Sequence, residues 1–168
     1  ADIAPEVIKQ ASLVVTQMNA HMPWVHGGCC IHIDDVNFAV HLDEPLLEYE
    51  PETPDDTALK IGGYVDRIVE DGCTIQVGSG SIPNAIVSCL TFKNHLGIHT
   101  ELMSDALIDL IRTGVVDNSR KSIDRGKAVA TFCMGKRRTY EYIHDNPSIE
   151  LRPIEYTNNP LIIAQQDN

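Results

Sequence analysis

The chain has 168 residues, about one domain's length, with 43% hydrophobic and 22% charged residues. Its net charge of −11, from 24 acids against 13 Lys plus Arg, disfavours non-specific binding to nucleic acid or an anionic membrane. No apolar run approaches the roughly 20 residues of a membrane helix, and five cysteines without a C-x-x-C pair read as buried thiols in a reducing cytoplasm.

Ala1-Asp2-Ile3 shows no signal peptide and no initiator Met, so the sequence reads as processed or excerpted. Ala11 to Asn19 reads as a buried strand after a helical lead-in. Ile31 to Asn37 reads as a short strand and a turn. Glu44 to Pro54, with three prolines and four glutamates, reads as an extended connector and a domain boundary. A helix then opens at Thr53-Pro54-Asp55-Asp56, with Thr53 as N-cap and Ala58, Ile61, Val65 and Ile68 at helical spacing. Gly72 is its stop.

Cys73 to Val77 follows as a strand, Pro83 to Lys93 as a helix and Gly97 to Thr100 as a strand. Ser104 caps a helix carrying Leu107, Ile108, Leu110 and Ile111, closed by Gly114. Ala128 to Cys133 is a strand, Lys136 to His144 a helix, Ile149 to Leu151 a strand. Asn159-Pro160 opens a last helix through Gln165. This alternation predicts an α/β fold: an open, mostly parallel sheet with helices on both faces.

In such sheets a ligand lies beyond the carboxyl ends of the strands. That rule selects the turns Gly78–Pro83, Thr100–Asp105, Met134–Arg137 and Arg152–Asn159. Gly78-Ser79-Gly80 sits between a strand and a helix, where glycines allow close backbone approach and the helix start favours an anion. It is neither a complete G-x-G-x-x-G nor a P-loop, so a tight turn without ligand stays an alternative. His99-Thr100-Glu101 brings imidazole, hydroxyl and carboxylate to the same edge. His99 or Glu101 could move a proton or bind a substrate carboxylate; the competing reading is a satisfied core histidine beside a capped helix. Lys136-Arg137-Arg138 would suit a phosphate-rich ligand, or form a solvated helix face. His21, His26, Cys29, Cys30, His32, Asp34 and Asp35 match no ordinary zinc spacing, so no metal is expected. No G-x-S-x-G elbow is present, which argues against a serine hydrolase.

Gly97-Ile98-His99-Thr100-Glu101-Leu102-Met103-Ser104-Asp105, preceded by Val77-Gly78-Ser79-Gly80-Ser81-Ile82-Pro83, resembles the acetyl-CoA hydrolase/transferase family, in its 4-hydroxybutyrate CoA-transferase branch. Phe132-Cys133-Met134-Gly135, Asp145-Asn146-Pro147, the run Leu151 to Pro160, and Met22-Pro23 with His26-Gly27 extend the likeness along the chain. The resemblance implies two related CoA-transferase α/β/α domains. Residues 1–46 would end the first, 47–53 connect, and 54–168 begin the second. It implies coenzyme A or an acyl-CoA as substrate, without metal, and ping-pong transfer of CoA to a carboxylic acid through a glutamyl-CoA thioester.

The resemblance places the nucleophilic glutamate in an I-N-S-x-x-E-type segment some ten residues past Asn168. None of the acids present is then the nucleophile, and the isolated chain is expected to be inactive. Ile154, Glu155, Tyr156, Thr157 and Asn158 are implied to contact CoA and supply backbone oxyanion donors. Gly78, Ser79 and Gly80, with the substrate corner His99, Thr100 and Glu101, would line the pocket. Implied partners are the remainder of the same polypeptide and a second copy in a homo-oligomer, with no nucleic acid and no membrane. Competing functions are acyl-CoA hydrolysis, a non-catalytic CoA-binding fragment, and a nicotinamide-binding domain on the glycine turn alone.

Overall fold

The computed structural model of the chain describes residues 2–168. Every strand pair in it is parallel. Helix α1 (Ala4–Gln10) leads into strand β1 (Val15–Met18), which pairs with β3 (Phe38–His41). Both strands are largely exposed, so the buried strand expected over Ala11–Asn19 is shorter and lies at the surface. Its apolar residues have no second layer against them here: Val15, Met18, Phe38 and Val40 are all more than half exposed. Ile33–Asp35 forms a 3-10 turn rather than a strand, because the His32 ring accepts from the Asp34 N–H and the chain turns there.

Helix α2 (Asp56–Asp66) is capped by Asp55, not Thr53: the Asp55 carboxylate accepts the Ala58 N–H at 2.7 Å. A carboxylate at this position is a strong acceptor and also complements the helix dipole. Strand β4 (Thr74–Ile75) follows, then helix α3 (Ser81–Cys89), which Gly80 precedes at φ 125°. That angle is costly for any residue with a Cβ. Pro83 therefore sits inside the first turn of α3 rather than opening it, and the predicted helix end becomes a 3-10 turn over Leu90–Phe92.

Strands β5 (Gly97–Ile98) and β6 (Leu102–Met103) are two pieces of one run, broken at Glu101. β7 (Ala128–Ala130) and β8 (Phe132–Cys133) are broken at Thr131 in register with it. The Glu101 carbonyl takes both the Thr131 and Phe132 N–H groups, at 2.9 and 3.1 Å, which marks a kink in the ladder. β9 (Ile149–Leu151) pairs with β7 on one side and with β2 (His26–Gly27) on the other. A His99–Val129 bridge joins β5 to β7, so the main sheet runs β4-β5-β7-β9-β2. The segment before the connector thus contributes an edge strand to the sheet that follows it.

Helix α4 (Asp105–Arg112) buries Leu107, Ile108 and Leu110 against Leu96, Ile98, Met103, Ala128 and Ile149. Each fully buried Leu or Ile contributes about 1.5–3 kcal/mol. This continuous apolar sheet core is what a parallel sheet covered by helices requires. Helix α5 (Arg137–Ile143) and the short helices α6 (Ile154–Thr157) and α7 (Pro160–Ile163) complete the chain.

Candidate active site

The break between β5 and β6 turns Glu101 outward while its neighbours turn in. His99 is 4% exposed and Thr100 fully buried, whereas Glu101 is half-buried. The Thr100 hydroxyl donates to the Val77 carbonyl and accepts the Val77 N–H, both at 2.9 Å. It therefore ties the corner to the chain just before Gly78-Ser79-Gly80. Thr100 is a brace, not the exposed pocket wall expected from the sequence.

His99 Nε2 lies 3.0 Å from the Thr157 carbonyl. A carbonyl only accepts, so Nε2 carries the proton and Nδ1 is left as an acceptor. Burial, partly opposed by that carbonyl, holds the ring below the usual histidine value. His99 is therefore a neutral interior group. Its Nδ1 is buried and has no hydrogen-bond partner among the described residues. The Tyr156 ring lies tilted against it, centroids 5.9 Å apart.

Asn158 follows Thr157, and its side-chain amide donates to Glu101 Oε2 at 3.0 Å. The His99–Glu101 corner and the Thr157-Asn158 segment, distant in sequence, thus meet twice. The segment does not meet the corner through its backbone. The Tyr156 and Thr157 N–H groups bond to the Pro153 carbonyl and that of Asn158 to Ile154, all inside α6, while Ile154 N–H bonds to Asp2. Four of the five N–H groups of Ile154–Asn158 are thus engaged locally, and the contact with the corner is made by the Asn158 side chain. Ile154 is half-buried, Glu155 is exposed, and Tyr156 donates to Asp124 at 2.8 Å beneath the Arg152 guanidinium.

Ser79 and Gly80 line a narrow crevice with Asn84, Ser104, Asp105 and Gly135. Three of the four sequence-selected turns converge there. Tyr49 and Pro51 of the connector close one side, with the Tyr49 N–H bonded to the Gly135 carbonyl at 3.1 Å. Gly78 and Ser79 are exposed beside it. The cations of the third turn are engaged by the chain's own acids. Lys136 pairs with Glu50 at 2.9 Å, Arg137 with Glu141 at 2.8 Å and Arg138 with Asp109 at 2.9 Å.

Among the described residues no group of three or more His, Cys, Asp or Glu could hold a metal ion. The His/Cys-rich stretch is drawn apart: His26 faces Asp145, and Cys29 donates to the Val25 carbonyl. No helix among these residues is long and apolar enough to cross a membrane.

The acetyl-CoA hydrolase/transferase N-terminal domain matches residues 1–76, and the C-terminal domain of the same family matches 135–168. The chain is 48% identical to the succinyl-CoA:cyclohexane-1-carboxylate CoA transferase of Geobacter metallireducens over 97% of its own length. The chain belongs to the acetyl-CoA hydrolase/transferase family. It is also 38% identical to the 4-hydroxybutyrate coenzyme A transferase of Clostridium kluyveri, over 99% of its length. It spans 37% and 39% of these two relatives. The crystal structure of 4-hydroxybutyrate CoA-transferase from Porphyromonas gingivalis superposes with a TM-score of 0.94 at 34% identity, covering 99% of this chain and 43% of that one. The α/β architecture expected from the strand–helix alternation is thus that of solved CoA-transferases.

The sequence pattern did not single out the Asn158 side chain. Its position in an Asn-Asn-Pro turn carried the signal, but a turn asparagine usually bonds its own backbone. Asn159 does this, accepting the Leu161 N–H at 2.9 Å.

Proposed function

We propose that this chain carries part of the site of a CoA-transferase. The enzyme moves CoA between a short-chain acyl-CoA, such as acetyl-, butyryl- or 4-hydroxybutyryl-CoA, and a carboxylic acid. The observation that carries this reading is the Glu101 carboxylate, half-exposed at the carboxyl edge of the sheet and held by the Asn158 amide at 3.0 Å. Family membership and the names of the relatives support it.

In this reading an oxygen of a glutamate beyond Asn168 attacks the thioester carbonyl carbon, and the C–S bond breaks to release CoA thiolate. The product is a mixed anhydride. The thiolate then attacks the glutamyl carbonyl, the anhydride C–O bond breaks, and the first carboxylate leaves. A second carboxylic acid reverses both steps and departs as the new acyl-CoA. A carboxylate is a weak nucleophile, so orientation and a donor to the developing oxyanion carry the rate. The Asn158 amide is a fixed, uncharged donor that orients the Glu101 carboxylate at the pocket edge. The crevice beside Ser79 and Gly80 would receive part of CoA.

The resemblance puts the nucleophile beyond Asn168, and Glu101 belongs to the pocket wall beside it. Exchange of labelled carboxylate into acyl-CoA by the full polypeptide tests this reading: Glu101→Gln should weaken the exchange without abolishing it, whereas complete loss would show that Glu101 itself reacts. Loss of thioester without an acceptor acid would mark hydrolysis instead. The isolated chain should show no turnover, because the nucleophile would lie beyond Asn168; exposed apolar residues such as Trp24, Phe38 and Leu47 further call for the remaining polypeptide or a second copy to cover them. Exchange by the chain alone would contradict this.

A further inference from the structure

Lys121 is the largest fully buried side chain of the molecule, with 0% of its surface exposed. It lies in the long loop between α4 and β7, where no regular structure predicts burial. Its ammonium donates to the Ile98 carbonyl at 2.9 Å and to the Lys127 carbonyl at 2.8 Å. Ile98 ends β5, and Lys127 directly precedes β7. The same loop holds the other backbone group of Ile98: its N–H donates to Asn118 Oδ1 at 2.9 Å. β5 and β7 first touch one residue later, at His99–Val129. At Ile98, two loop side chains therefore replace the missing ladder partner.

The Lys121 stem runs across Gly97, where an added Cβ would fall 2.5 Å from Lys121 Cγ. Any larger residue at position 97 would push the ammonium off its acceptors. A buried charge is retained only where its hydrogen bonds and neighbours compensate its desolvation. Asp124 and Glu150 provide opposite charge nearby, while Arg152 opposes it.

We propose that Lys121 is a positioning residue: by gripping Ile98 together with Asn118, it sets the direction in which the His99-Thr100-Glu101 corner presents its carboxylate. Lys121 touches neither substrate nor the reacting atoms. Its influence passes through three residues of backbone to Glu101. This inference rests on the transferase reading, in which the Glu101 direction matters.

The test uses the full polypeptide with three variants. Lys121→Met keeps the stem and removes the donors. Asn118→Ala removes the second grip. Val87→Ala, in the core of α3, lowers stability without removing either hydrogen bond to Ile98. With acyl-CoA, Lys121→Met should lower kcat at least tenfold with KM within about threefold, and Asn118→Ala should follow in the same direction. Val87→Ala should leave kcat near wild type at a temperature where all three are folded. Amide exchange at His99 and Thr100 should speed up in the two loop variants, while that of Leu107 stays unchanged. If Lys121→Met does not fold, Asn118→Ala decides by the same criteria. A kcat loss no greater than that of Val87→Ala, or unchanged exchange at His99 and Thr100, overturns the positioning role. A wild-type protein that transfers CoA to no acid overturns the transferase reading instead, and the exchange data then tell whether Lys121 still orders the corner.

Discussion

The Asn158 amide nitrogen stands 3.0 Å from Glu101 Oε2, joining two loops 57 residues apart in sequence. Glu101 lies at a ladder break, and Asn158 closes a one-turn helix. Neither loop would fix this contact alone. His99, bonded to the Thr157 carbonyl, brings the two segments together from the interior side.

Asn158 and Asn159 should therefore respond differently to truncation. Asn158→Ala removes the donor that holds the Glu101 carboxylate in place, and kcat of the full polypeptide should fall about 10–10²-fold. Asn159→Ala removes only the cap of α7, costing about 1 kcal/mol of stability with little change in kcat. Steady-state kinetics and urea unfolding of both variants check this. Equal kinetic losses would remove the distinction.

Asp105 organises the crevice floor. One of its oxygens accepts the Thr139 hydroxyl at 2.6 Å and the Lys136 N–H at 2.9 Å, linking α4 to the start of α5. Asp105→Ala strands both donors and should destabilise by about 1–3 kcal/mol. Gly135→Ala should also destabilise, since its Cβ would lie 2.2 Å from that same Asp105 oxygen. Denaturant midpoints measure both. A Gly135→Ala protein as stable as wild type would show that the contact relaxes freely.

Lys121 gives the stability curve an alkaline signature. Burial, opposed mainly by Asp124, pushes its ammonium from the ordinary 10.5 down to about 8. Between these values the unfolded chain binds more protons than the folded one, so stability rises with pH there. The full interval corresponds to something on the order of 3 kcal/mol. Wild type should gain stability over Lys121→Met as pH goes from 8 toward 10. Parallel urea-unfolding curves for the two proteins across that range would contradict it.

Asp117 gives an acid signature of opposite sense. Burial alone would raise its carboxyl, but the Ser119 N–H at 2.9 Å and the His95 ring at 2.7 Å outweigh it and lower it to about 2. A lowered acid stabilises the fold above its unfolded value and loses that contribution as pH falls through the folded one. The window is therefore roughly pH 4 to 2. Asp117→Asn should flatten the acid limb of the unfolding profile there, as circular dichroism against pH would report.

The sequence displayed the strand–helix alternation because each buried segment is apolar and each turn carries Gly, Pro, Asp or Asn. Ala128, Val129 and Ala130 could hardly be anything but an inner strand. The carboxyl-edge rule likewise selected Gly78–Pro83, Thr100–Asp105 and Met134–Arg137, which do come together. What stayed hidden depends on long-range contact. Nothing local told that Thr100 turns inward to Val77, or that α6 consumes its own N–H groups. Lys121 was invisible because an isolated lysine in an irregular loop is normally solvated. Of the cations Lys136–Arg138, only the Arg137–Glu141 pair was visible locally; Glu50 and Asp109, which hold Lys136 and Arg138, lie far away in sequence.

The central proposal is that a glutamate beyond Asn168, working beside the Glu101 corner, becomes the thioester. The most direct measurement incubates the full polypeptide with acyl-CoA, reduces it with sodium borohydride, and maps the modified peptide by mass spectrometry. Borohydride converts a glutamyl thioester to an alcohol and leaves free carboxylates intact. The account predicts the alcohol on a glutamate beyond Asn168, with Glu101 unmodified. An alcohol at Glu101, absent from Glu101→Gln, would contradict it.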